Sequence, residues 1–173
     1  IEPAKEYIIK AMEAKKQIVT ANKMLLATCG DEVFEKADEM GVSFQYEASV
    51  AGGIPIITPL KQCLTANKIT ELIGIVNGTT NYMLTKMTEQ GMDYDTALAR
   101  AQAKGYAEAD PTADVAGLDA ARKAAILSSI AFNTRVSLED VKVEGITNIT
   151  PEDITYAKEL GYIIKLLAIA KHT

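Results

Sequence analysis

Several things are scarce in this sequence, and each scarcity removes a class of function. There is one histidine in 173 residues, His172, so neither a Ser-His-Asp triad nor a histidine-rich metal site can be assembled. There are two cysteines, Cys29 and Cys63, too few for a disulfide framework, which suggests a reducing compartment and a cytoplasmic protein. Lys plus Arg number 18 against 23 Asp plus Glu, and no block of one sign stands out. That pattern gives no surface for nucleic acid or an anionic membrane. No apolar run approaches the ~20 residues of a membrane span, and no signal-peptide pattern is present. G-x-G-x-x-G occurs nowhere, so the dinucleotide-binding fingerprint is missing from this chain. If the protein is an enzyme, its acids and bases come from Asp, Glu, Lys or Tyr.

What remains is the composition of a globular protein: 48% hydrophobic and 24% charged, enough to build a core without coiled-coil or disordered bias. Periodicity predicts helices over 4–16 and 23–40, the second closed by Gly41, with strands over 17–20 and 42–47. Helix–strand–helix–strand order implies a parallel α/β unit. Beyond Gly52-Gly53 the texture changes. Helices are predicted over 55–66, 80–89, 94–104, 115–132 and 151–161, with strands over 69–76, 143–147 and 162–170 and a polar loop over 106–114. The boundary falls near residue 51, with an α/β remnant before it and an α+β domain after it. The chain starts at Ile1, with Pro3 read as the first residue of a helix, and stops after an apolar run. It reads as a piece of a longer protein. Thr-Ala-Asn-Lys occurs at 20–23 and 65–68 without a fixed period, so no structural repeat follows.

The most informative segment is the helix from Val115 to Phe132. Ala120, Ala124, Leu127 and Ala131 form one apolar stripe, and Ile126 and Ile130 continue a second that steps back to Lys123 and Asp119. A helix apolar nearly all round is buried. Two readings of Asp119 and Lys123 stand side by side. One is an exposed i,i+4 ion pair worth ~0.3–0.5 kcal/mol. The other is a buried pair in which the lysine donates a proton, since burial of such a pair is costly unless it is used.

The preceding loop, Gly105 to Asp114, carries Glu108, Asp110 and Asp114, which either cap a helix or bind an ammonium group. Glu47 to Pro55 contains two glycines at a strand end, either a tight turn or a set of carbonyls for a hard cation. Thr20-Ala21-Asn22-Lys23 stands at a strand end, where open α/β sheets place ligands, or caps a helix. Asn77-Gly78-Thr79-Thr80-Asn81 offers an N-cap and a turn, or a polar site wall.

Together these segments resemble homoserine dehydrogenase: Val19 to Lys23, Glu47 to Pro55, Asn77 to Tyr82, and Gly105 to Pro111 through Asp114 to Gly117-Leu118-Asp119-Ala120-Ala121-Arg122-Lys123. Four motifs in the family's order and spacing cover essentially the whole chain. The resemblance implies hydride transfer between NAD(P)H and L-aspartate 4-semialdehyde, giving L-homoserine. It implies that Lys123 is the proton donor and that Lys23, with Thr20, lies close to the cofactor, NADP or NAD. Glu108 and Asp119 would hold the substrate amino group and align Lys123, with Asp114 supporting them. Backbone carbonyls of Glu47, Val50, Gly52 and Ile54 would bind a sodium-like monovalent cation. The implied fold is the C-terminal part of a Rossmann-like nucleotide-binding domain over 1–50. A substrate-binding, catalytic and dimerisation domain would follow over 51–173, its mixed sheet covered by helices. A homodimer is implied through that sheet. The family's glycine-rich turn would precede Ile1, and a returning segment and any regulatory domain would follow Thr173. Two rivals are a non-catalytic oligomerisation module, its carboxylates serving as caps, and the second domain of a different amino-acid dehydrogenase.

Overall fold

The computed structural model describes residues 1–172. Thr173, the last residue of the expected second domain, lies outside the described residues. In chain order the elements are α1 (Ala4–Glu13), β1 (Ile18–Val19), α2 (Lys23–Met40), β2 (Phe44–Gln45), β3 (Glu71–Gly74), α3 (Gly78–Gln90), α4 (Tyr94–Ala103), α5 (Thr112–Val115), α6 (Leu118–Ala131), α7 (Pro151–Glu159) and β4 (Ala168–Lys171). Short helical turns lie at Glu47–Ser49, Pro59–Cys63 and Leu138–Asp140. Packing gathers the described residues into two compact units. Ile1–Leu72, Arg122–Val141 and the chain from Ala170 form the first; Ile73–Ala121 and Lys142–Ile169 form the second. This division is discontinuous in sequence.

The first unit begins with a β1–α2–β2 crossover. β1 and β2 are parallel, with Ile18 opposite Phe44 and Val19 opposite Gln45; a parallel pair needs such a crossover. The helix in it starts where the sequence says: Asn22 Oδ1 accepts from Leu25 N at 3.0 Å. It ends where Gly41 takes a left-handed φ of 61°, a conformation that costs glycine nothing. Val42, Phe44 and Tyr46 are all buried, so the predicted alternation over 42–47 is real although only two residues pair. Phe34 of α2 meets Phe44 edge-on at 5.6 Å. Met12, Leu25 and Val33, each fully buried, complete this side of the core. Pro3 precedes α1 as its N-cap residue and is not its first helical residue.

After β2 the chain turns sharply, with Ala51 at φ 58° and Gly52 at φ 59°. The helix expected over 55–66 is shorter, a wide helical turn at Pro59–Cys63. Its entrance is held from a distance. The Glu47 carboxylate accepts from the backbone N–H groups of Ile56 (2.6 Å), Ile57 (2.9 Å) and Thr58 (2.7 Å) and from the Thr58 hydroxyl (2.6 Å). Desolvation works against the charged carboxylate. The Thr58 hydroxyl and these backbone donors outweigh it and bring the Glu47 pKa down to about 2.

The second unit packs α3, α4 and α7 around Met83, Leu84, Met87, Ala97, Ala101, Val115, Ile146 and Ile154. Each helix has its own start signal: Asn77 for α3, Asp93 for α4, and a reciprocal Thr150–Asp153 capping box for α7. Three expectations change here. The helix predicted over 115–132 starts later, as α6 at Leu118, and the end of the predicted loop forms a separate short helix, α5, that stops before Gly117, whose φ is +83°. The strand predicted over 143–147 does not form; Val143 and Glu144 are exposed, and only Ile146 buries itself. Of the strand predicted over 162–170, only the end pairs, as β4, while Lys165 Nζ donates to Asn81 Oδ1 (2.9 Å) and Thr85 Oγ1 (2.8 Å) and so ties the segment before it to α3. Without those ladders the mixed sheet of the expected fold is replaced, among the described residues, by two two-stranded sheets, β1–β2 and β3–β4.

The Glu47 contacts set a pH dependence. A carboxylate whose folded pKa is depressed contributes stability that is full above its ordinary pKa and is lost as pH falls. Glu47→Gln in the full-length protein should therefore lower stability by a constant amount above about pH 5. The gap to wild type should close as pH falls from 4.5 towards about 2. Urea unfolding across that range checks it; a gap independent of pH would contradict the capping role.

Candidate active site

The site grows from the start of α3. Asn77 is 4% exposed, and all of its side-chain polar capacity is engaged. Its Oδ1 accepts from Thr80 N at 2.9 Å and from Thr80 Oγ1 at 2.7 Å, the N-cap that the sequence announces. Its Nδ2 donates to Asp114 Oδ1 at 2.7 Å and to Asp119 Oδ2 at 2.9 Å. One amide thus caps a helix and gathers two carboxylates.

Asp114 and Asp119 come together because the helix is broken between them. On one continuous helix, residues five apart sit roughly 140° apart around the axis. Gly117 at +83° turns the chain between α5 and α6 instead. The corner is shaped by close backbone packing. Ile146 N donates to Val115 O at 2.8 Å. A Cβ on Gly145 would lie 2.2 Å from Val115 O and 2.6 Å from Ala116 Cα, so only glycine fits there. Asp119 then stands in the first turn of α6, where the helix dipole favours a carboxylate.

Asp119 is 5% exposed, and Ala120, Ala121, Ala124, Ala125, Ile126, Leu127 and Ser128 are buried with it. α6 is therefore the nearly all-round buried helix that its sequence implies. The exposed-pair reading of Asp119 and Lys123 fails on this burial. Lys123, one turn after Asp119 on the same helix, is half-buried.

The loop over 105–111 is fastened to α3 by Tyr106. Its carbonyl accepts from Thr79 Oγ1 at 2.5 Å, and its ring lies 4.9 Å from that of Tyr82. Glu108, two residues on, is exposed. Its backbone carbonyl, 3.1 Å away, accepts from Gln102 Nε2. Asp110 has a local role: its Oδ1 accepts from Thr112 Oγ1 (2.6 Å) and Thr112 N (3.0 Å), and these bonds hold its pKa below the usual value. Of the three loop carboxylates, the structure brings Asp114 into the buried cluster, uses Asp110 for the turn and leaves Glu108 on the surface. The double donation by Asn77 escaped the sequence reading. Its signal was present: a cap uses only the Asn carbonyl, so a buried Asn cap needs acceptors for two N–H groups.

In the first unit, Thr20 and Lys23 flank the start of α2. Thr20 Oγ1 accepts from Asn22 N at 3.1 Å, and Lys23 is half-buried. Among the expected cation ligands, Glu47 has its carboxylate turned to Ile56–Thr58, leaving only its carbonyl for an ion. Among the described residues no group of three or more His, Cys, Asp or Glu is arranged to hold a metal. A groove of about 750 Å³ in this unit is lined by Phe34, Phe44, Tyr46 and Ile130, and by none of the expected site residues.

The corner that pairs the carboxylates is testable. Gly145→Ala forces a methyl into backbone and should destabilise the full-length protein by about 1–3 kcal/mol, the range of overpacked cores. A lowered thermal midpoint is expected; an unchanged one would show that the 143–146 segment does not press on the α5–α6 corner.

Known proteins resemble this chain along nearly its whole length. The family model described as homoserine dehydrogenase matches residues 55–173. A homoserine dehydrogenase of Synechocystis sp. is 56% identical over 170 residues, 98% of this chain and 39% of that protein. One from Bacillus subtilis is 53% identical over 171 residues, 99% of this chain and 40% of that protein. Among solved structures, a homoserine dehydrogenase from Thiobacillus denitrificans matches with a TM-score of 0.97 at 51% identity, covering 99% of this chain and 40% of that one. The chain spans about two-fifths of the length of these relatives. With a family match over most of its length and relatives above half identity across nearly all of it, this chain belongs to the homoserine dehydrogenase family.

Proposed function

We propose that the full-length protein interconverts L-homoserine and L-aspartate 4-semialdehyde with NADP(H) or NAD(H), in the biosynthetic branch towards threonine, methionine and isoleucine. The observation that carries this reading is that buried Asn77 gathers two carboxylates, half-buried Asp114 and buried Asp119, the second one turn before Lys123 on a buried helix. If the carboxylates were only caps, Asp119 would have no reason to be buried against a donor from another element.

Two carboxylates drawn to one amide form a negative seat for the substrate ammonium, and Glu108, exposed on the loop, would add a third carboxylate when substrate binds. The nicotinamide, when bound, supplies the hydride to the aldehyde carbon and accepts it in reverse. As the carbonyl becomes an alkoxide, Lys123 Nζ gives its oxygen a proton; in the reverse direction the lysine takes the hydroxyl proton. Asp119, on the same face of α6, aligns that lysine.

Thr20 and Lys23 fit one end of the cofactor chemically. A hydroxyl that accepts from Asn22 N keeps its proton to donate, and Lys23 carries an ammonium three residues on in sequence. The missing glycine fingerprint means that the pyrophosphate is held elsewhere in the protein. The carbonyls of Glu47, Val50, Gly52 and Ile54 would hold a monovalent cation, since the one nearby carboxylate is committed to backbone N–H groups. Residues 1–50 are then the end of a nucleotide-binding domain and 51–173 the substrate domain. Ile73, Ile75, Leu167 and Ile169 on or beside β3 and β4 are 43–54% exposed, an apolar face suited to a homodimer. Cys29 and Cys63 are free, which suits a cytoplasmic protein.

Two experiments on the full-length protein test the reaction. Lys123→Ala should cut kcat by roughly 10²–10⁴, the loss expected of a general acid, with a much smaller change in homoserine KM. A variant keeping more than about half the wild-type kcat would sink the role of Lys123. Glu108→Gln should raise homoserine KM at least tenfold, equivalent to ~1.4 kcal/mol, at an unchanged melting temperature. Asp110→Asn, which touches only the loop turn, is its control and should leave KM in place. The reverse result, with Asp110→Asn raising KM and Glu108→Gln not, would move the ammonium contact.

A further inference from the structure

We infer that Asn77 is a positioning residue for the proposed reaction: its amide sets the Asp114 and Asp119 carboxylates side by side and fixes the direction each presents to the substrate. The inference rests on that functional reading and adds to it a residue that does not itself touch substrate.

The orientation of the amide is forced. Oδ1 faces two donors, Thr80 N and Thr80 Oγ1, and Nδ2 faces two carboxylates. Turning the amide over would set its carbonyl against both acids and its N–H groups against the Thr80 amide. Each carboxylate is gripped through one oxygen, at 2.7 and 2.9 Å, and this sets where its second oxygen points.

Capping does not explain this arrangement. An N-cap needs a single acceptor, and Ser, Thr and Asp supply it as well as Asn does. Among these caps only Asn also carries two donors, and here both are used on residues 37 and 42 positions away in sequence. At 4% exposure, water has little room to replace them. Removing the donors takes away the contact that sets the two like charges side by side, so they splay apart, and the seat for an ammonium group is degraded.

The test uses Asn77→Ser and Asn77→Asp in the full-length protein. Both keep the cap, and both lose the two donors. Wild-type oxidation of homoserine is measured first and decides the reaction itself; its absence would overturn the reaction and the role of Asn77 with it. Given that activity, the folded Asn77→Ser variant should raise homoserine KM at least tenfold, with a melting temperature lowered by the two lost hydrogen bonds. The nicotinamide nucleotide KM should stay within twofold of wild type. Asn77→Asp, which adds a third negative charge, should lose more kcat/KM for homoserine than Asn77→Ser. Two results would overturn the inference: a folded Asn77→Ser variant with homoserine KM within twofold of wild type, or homoserine and nucleotide KM rising together. The second result would reduce Asn77 to a structural cap.

Discussion

Two carboxylates and the start of a helix share one buried side chain, and the arrangement of the second unit follows from that constraint. Asn77 can satisfy Thr80 on one side only if its other side meets acceptors. The acceptors it meets are Asp114 and Asp119. A buried amide with an unmet N–H costs ~1–3 kcal/mol, so the three elements are locked to one another or all are penalised. The α5–α6 corner must therefore bend at Gly117. The segment through Gly145 must pass close enough to support the bend, and its backbone approaches so closely that no side chain fits between.

On the proposed reading, this geometry also accounts for how the reaction can proceed without a histidine in the site. An ammonium substrate needs carboxylates, and a developing alkoxide needs a proton from a cation. Asp and Lys provide both when they are placed at consecutive turns of a buried helix. Burial raises the penalty for an uncompensated charge, which is why Asp119 comes with a donor from α3 and a place in the first turn of α6. Glu47 shows the same rule in the first unit. Its carboxylate is held by donors from Ile56 to Thr58 and so shapes the chain leaving β2.

Elements whose signals are local were legible. The start of α2 at Asn22, its end at Gly41, the starts of α3 and α7 and the buried stripe of α6 all read correctly, because caps and periodicity are satisfied within one turn of the residues that encode them. Strands failed where they needed a distant partner. Residues 143–147 have β-branched side chains but no neighbour to pair with. Residues 162–167 are tied to α3 through Lys165 and form no ladder. The start of α6 reads three residues early because apolar periodicity runs back across Gly117, where the chain takes a positive φ.

The sequence by itself determined the family, through four ordered motifs. It determined the chemistry left by the scarcity of histidine and cysteine, and most helix boundaries. These are properties of composition, order and contacts between near neighbours. Only the tertiary structure decided which carboxylates work together. It joined Asp114 and Asp119 through Asn77, assigned Asp110 to its own turn, and left Glu108 at the surface. The physical reason is one of range. The hydrogen bonds that set these roles link residues 37 and 42 apart, and their formation depends on where the chain bends between them.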